Sequence, residues 1–377
     1  MARIRVLIVD DAVVVRRLVA DALAADPDIE VVGTAANGRI ALQKIAQVSP
    51  DVVTMDVDMP EMNGIETVRA LRPEHPQLPV IMFSTLTERG GAATLDALAA
   101  GASDYVTKPA HAGSIGLAQQ RVREELIPRI KTLAARRGVV CGPRGGSSAA
   151  PPTPGRQTGP PPSGQVRPAI VAIGVSTGGP SALAMLIPAL SATLQVPVVI
   201  VQHMPAMFTR LLAERLDASS GLTVREASAG MVIEAGTVTI APGDHHMVLK
   251  RRGLQVCVAL DQGPPQHSCR PAVDPLFESA VRVYGRRTLA VVLTGMGQDG
   301  LRGCRAIRDG GGQTIVQDEA SSVVWGMPGL VVRGGLADKV LPMSDMAGEI
   351  MRRVTAGAGG RDDTMVAVPD DVGRAGA

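Results

Sequence analysis

The chain has 377 residues, of which 45% are hydrophobic and 20% are charged, enough for about two domains with buried cores. Its 38 basic and 36 acidic side chains give a net charge of +2, which does not favour binding of nucleic acid. The scarcity of aromatic residues (three Phe, two Tyr, one Trp) also argues against surfaces that stack bases. No apolar run reaches the roughly 18 residues that span a bilayer, and MARIRVLIVDD is unlike a signal peptide. Four scattered cysteines without a CxxC pair favour a reduced, cytoplasmic protein.

Short apolar runs alternate with helix-like segments over residues 1–135. The runs are apolar throughout, which is typical of strands buried on both faces of a parallel sheet. We therefore predict a first α/β domain whose ligands would lie at the carboxyl ends of the strands. The predicted strands are 6–9, 29–32, 52–55 and 80–83, and the predicted helices are 13–25, 39–47, 92–100 and 117–135.

The composition changes sharply after this domain. Residues 136–167 are rich in Pro, Gly and Ser, and we predict a flexible or partly extended linker. A second α/β domain is predicted over 168–357, and alternation over 236–260 predicts a hairpin attached to its main sheet. Residues 358–377 are rich in Gly, Ala and Asp and are predicted to form a disordered tail. The predicted buried strands of the second domain are 170–175, 198–202 and 289–294.

Acidic side chains follow the predicted strands of the first domain. Asp10 and Asp11 follow the first run, Asp56 follows the third, and Ser84 and Lys108 end or follow later runs. Converging carboxylates repel one another unless a cation lies among them, and oxygen ligands of this kind suit Mg²⁺. One carboxylate could then accept a phosphoryl group, with the lysine neutralising its charge and the serine binding its oxygens. The alternative is that these acids simply collect in solvated loops.

Four segments of the first domain carry a resemblance: IVDDAVVVRRLV, DVVTMDVDMPEMNG, FSTLT and YVTKP. Over residues 3–128 the chain resembles the receiver domain of bacterial two-component response regulators. The resemblance implies a flavodoxin-like (βα)5 fold in which Asp56 accepts a phosphoryl group from a histidine kinase. It also implies that Ser84 and Lys108 are the switch hydroxyl and the lysine of the family. The Mg²⁺ ligands that it implies are Asp10, Asp11, Asp56 and the main-chain carbonyl of Asp58.

The run AIVAIGVSTGGPSAL is the most informative motif of the second domain. A buried strand ends just before Ser176, and a helix begins near Pro180. The glycines allow a sharp turn that exposes the serine hydroxyl, and the helix N-terminus offers main-chain N–H groups to an oxyanion. A glycine loop that binds phosphate is an equal alternative from this motif alone. No lysine follows the glycines, so a Walker-type loop is poorly supported.

A serine nucleophile needs a base, and His203 directly follows the buried run VPVVIVQ. Asp299 lies in a glycine-rich turn after the run LAVVLT, where it could orient His203. Asp299 could also act as the N-cap of the helix that follows, and both roles are compatible. His245 and His246 are adjacent and would face opposite sides of a strand, so we interpret them as surface or loop residues of the hairpin.

Five segments of the second domain occur in the order typical of one family: GVSTGGPSAL, VIVQHMP, RPAVDPLFESA, VLTGMGQDG and QDEASSVVWGMPG. Over 168–355 the chain resembles the catalytic domain of chemotaxis protein-glutamate methylesterases, the CheB family. The resemblance implies a Rossmann-like parallel sheet with Ser176, His203 and Asp299 as a catalytic triad. It implies hydrolysis of γ-glutamyl methyl esters on chemoreceptors, with release of methanol, and deamidation of particular receptor glutamines.

These features together predict an acyl-transfer mechanism under receiver control. Main-chain N–H groups of Thr177, Gly178 and Met296 are the expected oxyanion donors, and the esterase site is expected to need no cofactor. A tether of about 30 residues would keep the domains at millimolar effective concentration, so that phosphorylation of Asp56 could shift an equilibrium between docked and released forms.

The expected partners are methyl-accepting chemoreceptors as substrate and a histidine kinase as phosphoryl donor. We expect a bacterial cytoplasmic protein recruited to receptors at the inner membrane, without insertion into the membrane and without nucleic acid. Two alternatives remain. One is a non-enzymatic receiver-output protein that binds a partner or nucleotide through its glycine-rich loops, and the other is a general serine esterase or peptidase under receiver control.

Overall fold

A computed structural model describes residues 3–85, 87–108, 115–136, 138 and 166–355 of the chain. Most of the predicted linker and all of the predicted C-terminal tail lie outside these residues. In the part of the chain that is described, none of the helices combines the length and the apolar character that crossing a membrane requires.

The first domain is a five-stranded parallel sheet in the order β2-β1-β3-β4-β5. Successive residues of β1 pack into different core clusters, Leu7 into one and Ile8 into the other, so the sheet is buried on both faces. This is the flavodoxin-like arrangement that the sequence predicts. In chain order the elements are β1 (Ile4–Val9), α1 (Val13–Ala24), β2 (Ile29–Ala35), α2 (Gly38–Val48), β3 (Val52–Asp56), α3 (Gly64–Leu71), β4 (Val80–Ser84), α4 (Glu88–Ala99), β5 (Asp104–Thr107) and α5 (Ile115–Arg136).

Local capping fixes the loop that follows β3. The side chain of Asn63 accepts a hydrogen bond from Glu66 N at 2.9 Å, and the Glu66 carboxylate accepts one from Asn63 N at 3.0 Å. This reciprocal capping box satisfies main-chain donors that the start of a helix leaves free. It therefore begins α3 at Gly64 and holds the short loop between Asp56 and this helix.

The second domain is built on a seven-stranded sheet in the order β14-β13-β12-β6-β7-β9-β8, in which every pairing is parallel. The three predicted buried runs form the adjacent strands β12, β6 and β7, which lie inside the sheet. Its elements are β6 (Ile170–Val175), α6 (Gly179–Ala189), β7 (Val198–Gln202), α7 (Ala206–Ser219), β8 (Thr223–Glu226), β9 (Thr237–Ile240), β10 (His246–Arg252), β11 (Gln255–Asp261), α8 (Val273–Tyr284), β12 (Thr288–Val292), α9 (Leu301–Asp309), β13 (Gln313–Gln317), α10 (Met327–Arg333), β14 (Lys339–Leu341) and α11 (Met343–Thr355).

The predicted hairpin is present as β10 and β11, but it forms a two-stranded sheet of its own. The hairpin packs on α8, where Leu249 N donates to Ser279 Oγ at 3.0 Å. The interpretation of His246 as a surface residue is wrong, since it is only 2% exposed. Its Nδ1 accepts from Ala272 N at 3.2 Å and its Nε2 donates to the carbonyl of Pro264 at 3.1 Å, so it joins the hairpin to the loop before α8.

The two domains pack together through α4 and β5 of the first and α6 and α7 of the second. The rings of Tyr105 and Phe208 stack with centroids 4.8 Å apart, and both lie in a core cluster shared by the two domains. At the edge of this contact, Arg215 Nη1 lies 2.7 Å from Asp96 Oδ1, and Arg210 pairs with Glu88. A mixed apolar and polar interface of this kind resembles a transient protein–protein contact.

Candidate active site

Ser176 is the first residue after β6, and its main chain is held on both sides. Its N–H donates to the carbonyl of Thr294 at 3.0 Å. Its own carbonyl accepts from Gly179 N at 2.8 Å and from Gln202 Nε2 at 3.0 Å. The turn that carries the serine is therefore fixed to the strands on either side of β6.

Gly178 makes this turn possible. Its φ of +76° lies in the left-handed region, and a Cβ there would lie 2.5 Å from Cβ of Val323. A side chain would therefore meet both backbone strain and a steric clash. The chain can enter α6 immediately afterwards, which is the sharp strand-to-helix turn that the glycines predict.

His203 lies beside Ser176 because β6 and β7 are paired in parallel. Val175 pairs with Gln202, so the next residue of each strand emerges at the same edge of the sheet. In the described part of the chain, no hydrogen bond joins Ser176 Oγ to His203. Contacts of this kind are often long before substrate binds and tighten in the complex with substrate.

Asp299 lies in the loop after β12, the strand that pairs with β6 on the side opposite β7. Its Oδ2 is 2.8 Å from His203 Nε2 and accepts from Val273 N at 2.6 Å. Its Oδ1 accepts from Asp274 N at 3.0 Å and from Gly300 N at 2.9 Å. Both oxygens of this buried carboxylate are thus occupied, and its orientation toward His203 is fixed.

The His203–Asp299 contact shifts the pKa of both groups. Burial favours the neutral acid, but the hydrogen bond to His203 and the main-chain donors outweigh it, so the pKa of Asp299 lies below its usual value. Burial would lower the pKa of His203, but the bond to Asp299, together with nearby Cys269, raises it. The pair therefore favours the imidazolium that would form when a serine gives up its proton.

The serine lies between two loops that carry main-chain donors, the turn that follows it and the loop of Gly295 and Met296, where a Cβ on Gly295 would lie 2.9 Å from Ser176 Cβ. The N–H groups of Thr177, Gly178 and Met296 have no hydrogen-bond acceptor among the described residues. The carbonyl of Thr177 accepts from Thr294 Oγ1 at 2.9 Å, and this bond holds the loop in place. Fixed, unpaired N–H groups beside a nucleophile are what an oxyanion hole requires.

Residues of the first domain reach this same site. Oδ2 of Asp104, on β5, accepts from Thr177 Oγ1 at 3.2 Å, and Thr132 Oγ1 on α5 donates to Met296 Sδ at 3.2 Å. A cleft of about 360 Å³ lies between the domains, with His203 on one wall and Tyr105 on the other. Sequence reasoning missed these contacts because no motif or periodicity marks them.

Sequence reasoning also missed Cys269. The thiol lines the same cleft and lies close enough to His203 to raise its pKa. Cys269 sits in the loop before α8, and the quoted motif RPAVDPLFESA begins at the very next residue.

The predicted acidic cluster forms at the carboxyl edge of the first sheet. Carboxylate oxygens of Asp10, Asp11 and Asp56 lie within 4.8 Å of one another. Lys108 Nζ lies 2.8 Å from Oδ2 of both Asp10 and Asp56. Apart from this ion pair, Oδ2 of Asp10 has no hydrogen-bond partner in the described part of the chain. Three converging carboxylates, two of which share one lysine, fit a hard divalent cation such as Mg²⁺.

The environment of Asp56 differs from that of a surface carboxylate. Burial raises its pKa to about 6, with Asp10 adding to the rise and Lys108 opposing it.

Ser84 is buried at the end of β4, and its hydroxyl donates to the carbonyl of Gly90 in α4 at 3.1 Å. Asp58 is exposed in the loop two residues after β3.

Each of the two domains matches the model of a known protein family. The family models for CheB methylesterase and for the response regulator receiver domain match residues 171–350 and 6–118. A protein-glutamate methylesterase/protein-glutamine glutaminase of Nocardioides sp. is 55% identical over 94% of this chain and 96% of its own length. The chain belongs to the CheB methylesterase family.

A second relative and a solved structure are also similar to this chain. A protein-glutamate methylesterase/protein-glutamine glutaminase of Trichodesmium erythraeum is 50% identical over 94% of this chain and 100% of its own length. The crystal structure of the Thermotoga maritima CheB methylesterase catalytic domain is 44% identical, covering 50% of this chain and 99% of that one, with a TM-score of 0.49. The two family models and the curated relatives confirm both resemblances inferred from the motifs, at the level of the family.

Proposed function

We propose that this chain is a phosphorylation-regulated serine hydrolase that removes methyl groups from γ-glutamyl esters of chemoreceptors and deamidates particular receptor glutamines. The observation that carries the proposal is the meeting of Ser176, His203 and Asp299 at the ends of adjacent strands, with 2.8 Å between His203 Nε2 and Asp299 Oδ2. The names of the relatives support the substrate class, since they are protein-glutamate methylesterases and protein-glutamine glutaminases.

The first half of the reaction is acylation of the serine. Ser176 Oγ attacks the ester carbonyl carbon while His203 takes its proton. Because Nε2 is engaged with Asp299, Nδ1 is the ring nitrogen available as the base. The N–H groups of Thr177, Gly178 and Met296 stabilise the oxyanion, which in related enzymes is worth about 10²–10³ in rate per donor. Collapse of the tetrahedral species breaks the C–O bond, and methanol leaves with the proton from His203.

The second half is hydrolysis of the acyl-enzyme. His203 takes a proton from water, the hydroxide attacks the acyl carbonyl, and the glutamate carboxyl leaves as Ser176 regains its proton. A glutamine side chain follows the same course, with ammonia in place of methanol. Asp299 keeps its negative charge throughout and orients the imidazole.

The receiver supplies the regulatory input. We assign Asp56 as the phosphoryl acceptor from a histidine kinase, since its buried carboxylate lies beside Lys108 at the carboxyl edge of the sheet. Asp10, Asp11 and Asp56, with the main-chain carbonyl of Asp58, would hold Mg²⁺, which when bound neutralises phosphoryl oxygens. Lys108 then pairs with the new phosphoryl group.

Phosphorylation reaches the interface through Ser84 and α4. The Ser84 hydroxyl now donates to Gly90 O, and a phosphoryl group on Asp56 offers it a stronger, charged acceptor. When the Ser84 hydroxyl turns toward the phosphoryl group, Gly90 O loses its hydrogen bond and the first turn of α4 is freed. Glu88 of this turn pairs with Arg210 of the second domain. This weakens the contact between α4 and α7 and shifts the domains toward the released form, in which the esterase site is open to a receptor.

The proposal is tested by methanol release from membranes that carry methylated receptors. Ser176→Ala is expected to reduce the rate by at least about 10³-fold, because the acyl-enzyme cannot form. Ser219→Ala, at a serine in the last turn of α7 whose hydroxyl bonds only within that helix, is the matched control and should leave the rate unchanged. Mass spectrometry of receptor peptides should show loss of a methyl group.

Two outcomes would contradict the proposal. Methanol release by Ser176→Ala at the wild-type rate would remove Ser176 from the reaction. Equal activity of the wild type on simple methyl esters and on receptor glutamates would indicate a general esterase instead.

A further inference from the structure

A second carboxylate is buried directly behind Asp299. Asp274, in the first turn of α8, is 0% exposed, and Asp299, just before α9, is 2% exposed. Each carboxylate accepts a hydrogen bond from the start of the other helix: Asp299 from Asp274 N at 3.0 Å, and Asp274 from Gly303 N at 2.7 Å. The two acids thus bind the N-termini of α8 and α9 to each other, where the helix dipoles favour negative charge.

His267 joins this pair of helices to the turn that carries Asp299. Its Nε2 lies 3.1 Å from Asp274 Oδ2 and donates to it. Its Nδ1 lies 3.4 Å from Nε2 of Gln298, which can donate to it, and Gln298 is the neighbour of Asp299 in the chain. The backbone of His267 has a φ of +51°, a left-handed conformation that is rare outside glycine and often occurs near functional sites.

We propose that His267 is a positioning residue of the esterase: it clamps the Gln298–Asp299 turn onto Asp274 and so holds the acid at the angle that His203 requires. The inference rests on the proposed function, because it concerns the same triad. His203 is the one side chain that binds the Asp299 carboxylate among the described residues, the other donors being main-chain N–H groups. The position of the turn therefore sets the direction of the Asp299–His203 hydrogen bond.

His267 contacts the Asp274 carboxylate more closely than the neighbouring arginine does. Arg302 also lies near this carboxylate, but its Nε is 3.8 Å away and it binds Glu278 more closely, at 2.6 Å. Without His267, Oδ2 of Asp274 would lose its hydrogen bond and the Gln298 amide would lose its acceptor. A displacement of about 1 Å in a catalytic group can cost roughly 10²-fold in rate, so even a partial shift of the turn should be measurable.

His267 also lines an open groove of about 560 Å³, together with Arg333 and Gly326. A residue in this place could instead contact the substrate directly. The two roles differ in kinetics, because a substrate contact changes KM whereas a positioning residue changes kcat.

The test uses the full chain, treated with a small-molecule phosphodonor, and the methanol-release assay. His267→Phe keeps the ring but removes both hydrogen bonds, and we expect kcat to fall roughly tenfold with little change in KM. His267→Gln can donate to Asp274 and accept from Gln298, so it should recover most of the activity. His75→Phe, the same change on the receiver, is the control.

An NMR measurement decides the point without activity. The ring ¹H–¹⁵N signal of His203 reports its bond to Asp299, and we expect it to move in His267→Phe and to return in His267→Gln. An unmoved signal in His267→Phe, a rise in KM alone, or equal loss in both variants would overturn the inference. If the wild type released no methanol, the proposed function would fail, while the His203 signal would still report whether His267 positions the pair.

Discussion

The hydroxyl of Thr177 joins the loop after the proposed nucleophile to the receiver. Removal of this hydroxyl should activate the unphosphorylated enzyme. Thr177 is 6% exposed, and its Oγ1 donates to Asp104 Oδ2 at 3.2 Å. Valine has nearly the same shape and lacks the donor, so Thr177→Val removes this contact without opening a cavity. Asp104 retains its pair with Arg129 Nε at 3.0 Å and is not left without a partner.

The size of the effect follows from the chemistry of this contact. A hydrogen bond to a charged acceptor contributes about 1.5–3 kcal/mol, and a bond of 3.2 Å belongs at the lower end of that range. A loss of about 1.5 kcal/mol shifts the equilibrium between packed and released domains roughly tenfold. The pair between Arg215 and Asp96 has side chains that are 38% and 51% exposed, and such a pair is worth about 0.2–1 kcal/mol.

The assay is the ratio of methanol release without and with a phosphodonor, measured on each full-length variant. The ratio cancels any effect of the substitution on the chemical step, since both rates come from the same protein. We expect Thr177→Val to raise the ratio roughly tenfold and Arg215→Gln to raise it less than about fivefold. A ratio unchanged in Thr177→Val, with a larger rise in Arg215→Gln, would refute the reasoning that the buried contact dominates.

Two further predictions concern the turn and the acidic site. Gly178→Ala forces a Cβ to within 2.5 Å of Val323 at a φ of +76°, so we expect about 1–3 kcal/mol lower stability by urea denaturation and a lower kcat; wild-type values for both would show that the turn tolerates a side chain. Asp56→Asn should stabilise the chain at pH 7.5 in the presence of a chelator. Burial raises the pKa of Asp56 from 3.8 to about 6. Ionisation of this carboxylate therefore lowers the free energy of unfolding as the pH rises from 3.8 to 6, by up to roughly 3 kcal/mol, and has no effect below pH 3.8. A gain as large at pH 4 as at pH 7.5 would contradict this assignment.

That Ser176, His203 and Asp299 meet at one edge of the sheet could be predicted from the sequence, because each residue follows a run that is apolar throughout. Such runs indicate strands buried in a parallel sheet, and the carboxyl ends of these strands form one edge. Ser176 and His203 come directly after β6 and β7, so the parallel register alone brings them together. Asp299 lies further from the end of β12, and its place depends on the caps of α8 and α9, which no periodicity predicts.

Contacts between the two domains, and contacts made by irregular loops, could not be predicted from the sequence. The bond from Thr177 to Asp104 depends on how two domains pack, and neither residue belongs to a pattern that marks an interface. His246 was misinterpreted because alternation along a strand does not tell which face is covered, and here the loop before α8 covers it. His267 lies in an irregular loop, where its hydrogen bonds rather than any repeat determine its position.

The packed arrangement has a consequence for how the proposed regulation can work. The His203–Asp299 hydrogen bond is already formed at 2.8 Å while the receiver covers the cleft, so release does not need to rebuild the acid–base pair. The receiver instead holds Thr177 and Met296, two of the residues whose N–H groups would bind the oxyanion. Under the proposed regulation, phosphorylation therefore has to change access to the cleft and the mobility of the loops that carry Thr177 and Met296. A weak interface, whose equilibrium a single phosphoryl group can shift, is sufficient for that purpose.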